Sequence, residues 1–263
     1  MAELIEIRNL QVTHAPKKAP ARELVKGIDL SLGKGRIVGI IGESGSGKSM
    51  AMKALMGLLP EAIHAANSSY LFEGQPVRNP AKLPISMIFQ DPMTSLDPVR
   101  TVGYHLREVI RRKQKTTTAE CDRLAVRQLE KVGIPQPEQR LKQYPHELSG
   151  GMRQRVMIAM ALLTDARVLI ADEPTTALDV TVQAQILALI QQLQAENQLT
   201  VILVSHDFGV VAGMCDEVHV MLEGRFVESG STADIFYHPQ HPYTKKLLQA
   251  AAFVEEPQGG GDL

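Results

Sequence analysis

Only two cysteines, Cys121 and Cys215, occur in the 263 residues. So low a count excludes a disulfide-stapled scaffold and a Cys-rich zinc site, and it fits a reducing compartment. An excess of charge is missing too: 28 Lys and Arg stand against 29 Asp and Glu, a formal charge of −1. DNA-coating and polybasic membrane-binding proteins draw their affinity from surplus Lys and Arg, so neither class fits. Long apolar runs are absent as well. The longest, residues 156–163, falls far short of the roughly 18–20 residues that span a bilayer. The first ten residues lack the apolar core of a secretory signal, and no internal repeat is visible. What is there is 44% hydrophobic residues, enough for a globular core and too many for general disorder. These bounds lead to the expectation of a soluble, cytosolic chain: one large domain, or one with inserted lobes. Any membrane role would come through partners.

Along the chain, Ile5, Ile7, Leu10 and Val12 suggest an opening strand, residues 15–21 a surface loop, and residues 24–32 a second strand. Residues 36–41 read as a short strand, uncharged and apolar from Ile37 on, as in a buried parallel strand. A Gly-rich loop follows, and residues 49–59 predict a helix stopped by Pro60. Residues 70–80 read as a strand and turn around Gly74, and 85–89 as another short strand. From about 91 to 150 strand patterns are scarce, and helical patterns at 102–112 and 118–132 define an inserted helical lobe. Strands and helices then alternate: helix 152–163, strand 168–171, helix 182–196 with Ile186, Leu189, Ile190 and Leu193 on one face, and strands at 200–204 and 217–222. This alternation predicts an α/β fold with a mainly parallel sheet. Residues 255–263, with three consecutive glycines, predict a flexible tail after a domain ending near 254.

Gly42, Glu43, Ser44, Gly45, Ser46, Gly47, Lys48 and Ser49 match the pattern G-x-x-x-x-G-K-[ST]. Its glycines let the backbone curl so that successive N–H groups face phosphate oxygens, and the following helix adds the positive end of its dipole. Lys48 is expected to reach β- and γ-phosphates, and the Ser49 hydroxyl to bind Mg²⁺. Residues 168–171 then deliver two carboxylates. Asp172 is placed to hold Mg²⁺ and Glu173 to act as general base toward an attacking water; a strand end with two solvated acids is the plainer alternative. Ser149, Gly150 and Gly151 open a helix, with Ser149 as N-cap and exposed N–H groups forming a second anion site.

With these pieces in this order, the sequence resembles the ATP-binding cassette (ABC) ATPases. The resemblance runs from about Leu4 to Leu248. It rests on the phosphate loop, Gln90 after strand 85–89, residues 148–152, Asp172 with Glu173, residues 176–179, and His206 after strand 200–204. It implies a P-loop NTPase (RecA-like) core, an antiparallel β-subdomain and an inserted helical subdomain. It further implies a head-to-tail pair of ATPase subunits, with ATP between one subunit's phosphate loop and the other's Ser149, Gly150 and Gly151. By the same resemblance Gln90 ligates Mg²⁺ or its water and senses the γ-phosphate. His206 contacts that phosphate and positions Glu173, and the segment through Asp179 lines the pair's interface. Asp179 also suits a helix N-cap, His206 a strand-end histidine and Gln90 a surface amide. The family usually carries an aromatic residue near the end of its first strand to stack on adenine. Here Val12, Thr13 and His14 occupy that stretch; His14 either stacks or is a loop residue.

Residues 91–98, 144–148 and 238–244 resemble the dipeptide, oligopeptide and nickel group of ABC importers. That likeness implies two membrane permeases, a second ATPase subunit (identical or sister), a periplasmic or surface substrate-binding protein acting indirectly, no nucleic acid, and a place at the cytoplasmic face of the inner membrane. The compact ending and the missing aromatic resemble the nickel importers' ATPases, so nickel or a metal complex is the expected cargo and peptide the alternative. His238 and His241, flanked by prolines, lack the further ligands of a metal site. They read instead as the lead-in to a C-terminal helix.

Overall fold

The computed structural model describes residues 3–17, 19–91, 95–176 and 178–251. The expected tail at 255–263, residues 92–94 of one importer motif and Ala177 lie outside them. Two compact units make up the chain: residues 1–81 with 203–263, and residues 82–202.

The first unit opens with an antiparallel sheet. Strands β1 (Glu3–His14) and β2 (Arg22–Gly33) pair along their length. Their Leu, Ile and Val side chains are buried at Leu4, Ile5, Ile7, Leu10, Val12, Val25, Ile28, Leu30 and Leu32, the half-buried pattern of a one-sided sheet. Strands β4 (Ile63–Ala66) and β5 (Ser69–Phe72) both pair with β1, and β6 (Gln75–Pro76) pairs with β5. Strand β3 (Ile37–Ile41), with all five residues buried, runs parallel to β10 (Glu217–Leu222), which pairs antiparallel with β11 (Arg225–Ser231). Helix α1 spans Lys48–Leu55. It ends four residues short of the predicted 59 because Gly57 takes a φ of 68° and terminates the helix before Pro60 is reached.

The second unit holds strands β7 (Ile85–Ile88) and β8 (Val168–Asp172), which are parallel, with β9 (Thr200–Val204) next in the order β9–β8–β7. The last two residues of β9 already belong to the first unit. Between β7 and β8 lie α2 (Val102–Lys113), α3 (Thr118–Lys131), α4 (Pro137–Arg140) and α5 (Gly150–Leu163). Thr101 and Thr117 cap α2 and α3 by accepting from Tyr104 N–H and Glu120 N–H, each satisfying a first-turn donor. Leu106, Ile110, Ala125 and Leu129 are buried from these two helices. Helix α6 (Val180–Asn197) buries Ile186, Leu189, Ile190 and Leu193, the predicted face. After β9 the chain adds α7 (Phe208–Met214), α8 (Thr232–Tyr237) and α9 (Pro242–Ala250) to the first unit. Among the described residues no helix is long and apolar enough to cross a membrane.

Candidate functional site

In the first unit the Gly-rich loop leaves β3 and enters α1. Gly42 and Gly47 sit at φ 150° and 110°. A Cβ at Gly42 would lie 2.2 Å from the Met221 carbonyl oxygen, and one at Gly47 would lie 2.7 Å from the Leu24 carbonyl oxygen. Only glycine satisfies both the backbone angle and the close approach. Ser46 N–H closes the loop on the Glu43 carbonyl at 3.2 Å, and Gly224 N–H donates to the Ser46 carbonyl at 2.8 Å. Gly47 offers α1 no side-chain cap, so the helix presents first-turn N–H groups of the kind that bind anions. Lys48 is 5% exposed. Its Nζ donates to the carbonyl oxygens of Gly42 at 2.7 Å and Glu43 at 2.9 Å, folded onto its own loop. Ser49 follows it in the first turn, half-buried.

His206 stands exposed just past β9 in the same unit. Ser205 before it donates its N–H to the Ile40 carbonyl at 3.2 Å, and Asp207 after it caps α7 through Val210 N–H at 3.1 Å. The histidine is thus held between two fixed neighbours. His14 is half-buried at the end of β1, in register with Arg22 and Ile63.

In the second unit the sequence-predicted acids close β8. Asp172 is 4% exposed. Glu173 has a φ of 47°, a left-handed conformation that is uncommon for a non-glycine residue and tends to mark functional positions. Its Oε2 accepts from Gln90 Nε2 at 2.8 Å and from Thr176 Oγ1 at 3.1 Å. Gln90 and Glu173, 83 residues apart, therefore meet. Ser149 caps α5, its Oγ accepting from Met152 N–H at 3.3 Å. Gly150 and Gly151 have a packing reason beyond exposed N–H groups: a Cβ at Gly151 would lie 2.6 Å from Val182 Cγ1, and one at Gly150 3.0 Å from Leu178 Cδ2. Asp179 realises its plainer role, accepting from Val182 N–H at 2.9 Å as the cap of α6.

No group of three or more His, Cys, Asp or Glu among the described residues could hold a metal ion by itself. Ser49, Gln90 and Asp172 each carry an oxygen donor of the kind that hard cations such as Mg²⁺ take. The curled loop, with its buried ammonium group, suits a polyphosphate. Residues 238–241 form the helix lead-in expected of them. Gln240 and His241 donate their N–H groups to the Glu228 carboxylate at 2.6 and 3.1 Å, and His241 Nδ1 accepts from Tyr243 N–H at 3.2 Å.

The sequence pattern of the ABC transporter family matches residues 25–176, more than half of the chain. The chain belongs to the ABC transporter family. It is 46% identical over 257 residues to the dipeptide transport ATP-binding protein DppD of Bacillus subtilis, covering 94% of this chain and 76% of that one. To the oligopeptide transport ATP-binding protein OppD of Salmonella typhimurium it is 48% identical over 258 residues, again 94% of this chain and 76% of the relative. Among solved structures, cbiO1 of Clostridium perfringens, part of the cbiONQ ABC transporter complex, superposes with a TM-score of 0.74 at 27% identity over 95% of this chain and 94% of that one. A bacterial ABC transporter cassette solved as a dimer gives a TM-score of 0.75 at 25% identity over 87% and 98%. The fold is thus that of an ABC ATPase: an α/β P-loop NTPase with antiparallel and parallel sheets and a helical subdomain.

Two site contacts of this ABC ATPase fold were not foreseen. In the sequence Thr176 belongs only to the segment through Asp179, although a hydroxyl three residues past Glu173 is placed to return to its carboxylate. Tyr243 stands in the sequence only within the segment 238–244, yet its hydroxyl accepts from Glu43 N–H at 3.1 Å. The partners are 200 residues apart, so no local pattern announces them. Burial raises the Tyr243 phenol above its usual range, the Glu43 N–H opposes that shift, and the Glu43 carboxylate adds to it.

Proposed function

We propose that this chain is the ATP-hydrolysing subunit of an ABC importer for dipeptides or oligopeptides. The observation that carries ATP binding is the loop itself: two glycines whose replacement would strike backbone carbonyls, and a buried lysine at the start of α1. In this reading the loop's N–H groups take the phosphates. Lys48 leaves the Gly42 and Glu43 carbonyls for the β- and γ-phosphate oxygens. Ser49, Asp172 and Gln90 serve the Mg²⁺ ion, which when bound neutralises developing phosphate charge. Glu173, released from Gln90, accepts the proton of the attacking water. His206 steadies the γ-phosphate and the water.

Ser149, Gly150 and Gly151 act in the reading on the nucleotide of the other ATPase subunit, which is an identical copy or a sister chain. The dimeric form of the bacterial cassette described above supports such a pair. Two permeases, a substrate-binding protein acting through them, and a place at the cytoplasmic face of the inner membrane complete the proposed assembly, with no role for nucleic acid.

Peptide replaces nickel as the leading cargo. The relatives reported above are named for dipeptide and oligopeptide transport and align with 94% of this chain. The compact ending and the missing aromatic, which suggested nickel, say nothing about cargo chemistry. In a strain lacking this chain, uptake of labelled di- and oligopeptides is expected to fall while labelled nickel enters normally. Lost nickel uptake with peptide uptake intact would reverse the assignment.

A further inference from the structure

The segment 238–244 marks the importer group in the sequence, but none of its residues has a part in the proposed hydrolysis. Its geometry gives it one. Glu228 on β11 anchors the segment by accepting N–H groups from Gln240 and His241. His241 then caps α9 at Tyr243 N–H, and Thr244 and Leu248 are fully buried from the same helix. The half-buried Tyr243 side chain is therefore carried on a fixed support, and its hydroxyl meets Glu43 N–H in the phosphate loop.

We infer that Tyr243 is a positioning residue of the phosphate loop, holding the Glu43 peptide in place for nucleotide binding. The inference rests on the nucleotide-binding reading proposed above. Residue 43 is held from two sides. On its carbonyl side it accepts from Lys48 Nζ and from Ser46 N–H; on its amide side it donates to Tyr243. When Lys48 turns to a phosphate, its hold on the Gly42 and Glu43 carbonyls is released, whereas the bond to Tyr243 does not depend on Lys48. The phenol thus keeps the loop's entry residue in register while the lysine changes partner. An N–H left without an acceptor would let this peptide rotate and blur the cradle.

The test is equilibrium binding of MgATP and of MgADP to the whole chain, wild type against Tyr243→Phe, which removes one oxygen and keeps the ring packing. Affinity for both nucleotides is expected to fall about three- to tenfold, the range of one hydrogen bond, with the nucleotide-free melting temperature within about 2 °C of wild type. In a Glu43→Pro background residue 43 has no N–H to hold, so there Tyr243→Phe is expected to change nothing further. A merely structural tyrosine would not show that dependence on residue 43. Should Glu43→Pro not fold, the comparison of Tyr243→Phe with wild type still decides. Wild-type affinity in Tyr243→Phe, or an equal loss in both backgrounds, would overturn the inference alone. A wild-type chain that binds neither nucleotide would overturn the proposed function and this inference together.

Discussion

Lys48 shows how one residue's surroundings state its task. An ammonium group at 5% exposure gives up most of its hydration, and here it is compensated in part by two carbonyl oxygens within 2.9 Å. Such a group binds a polyanion strongly, because the anion replaces the lost water with charge. Lys48→Ala is expected to weaken MgATP binding by at least about tenfold, the usual worth of a charged hydrogen bond, as read by titration calorimetry; unchanged affinity would remove Lys48 from the site. His219 is a second informative residue. It is buried at 5% exposure, stacks on Phe226 at 4.8 Å, and shares a 2.7 Å hydrogen bond between its Nδ1 and Ser229 Oγ. Burial lowers its pKa to about 4. Between pH 6.5 and 4 the unfolded chain then binds a proton that the folded chain refuses, so the stability His219 contributes is whole above pH 6.5 and drains as pH falls toward 4. The full loss is about 3 kcal/mol at most. Glu217 Oε1 lies 3.5 Å from its Nε2, a nearby carboxylate that works against the loss. Urea unfolding at pH 7.5 and at pH 5 is expected to give a smaller difference in His219→Phe than in wild type; equal differences would show that the imidazole does not titrate in this way.

At the scale of elements, caps and close contacts decide where helices begin. Asp179 joins the segment after Glu173 to α6 by accepting Val182 N–H at 2.9 Å. Asp179→Ala is expected to destabilise the chain by about 1 kcal/mol, while Asp179→Asn, an equally good cap, changes little. Equal losses in the two variants, measured by chemical denaturation, would deny the capping role. These starts were legible in the sequence because a cap, its first-turn partner and the apolar face lie within a few residues of one another. The same holds for the phosphate loop and for Asp172 with Glu173, each a strand end followed by its own motif. Strand β4 was not legible: Ile63, His64, Ala65 and Ala66 have no alternating burial, three of the four being exposed, and only pairing with β1 makes them a strand. Helix α7 was missed because Gly209 and Gly213 interrupt its helical pattern. The predicted end of α1 at 59 gave Pro60 the deciding vote, whereas Gly57 acts first. Tyr243 on Glu43 and Gln90 on Glu173 are contacts between distant segments, which only the folded chain reveals.

For the whole molecule, the residues given a part in nucleotide handling are divided between the two compact units. The phosphate loop, Tyr243 and His206 belong to one; Gln90, Ser149, Asp172 and Glu173 belong to the other. Under the proposed function each set has its own part in ATP hydrolysis. The Glu173 carboxylate is the sharpest point of that proposal: there it accepts the water's proton, and in the structure its Oε2 accepts from Gln90 and Thr176. The decisive measurement is Mg-dependent ATP hydrolysis by the chain assembled with its permeases, comparing wild type with Glu173→Gln alongside nucleotide binding. With Glu173 as the base, steady hydrolysis by wild type is expected, and in the variant a fall of about a hundredfold or more with ATP still bound. Hydrolysis by Glu173→Gln at the wild-type rate, or none by the wild-type assembly, would contradict it.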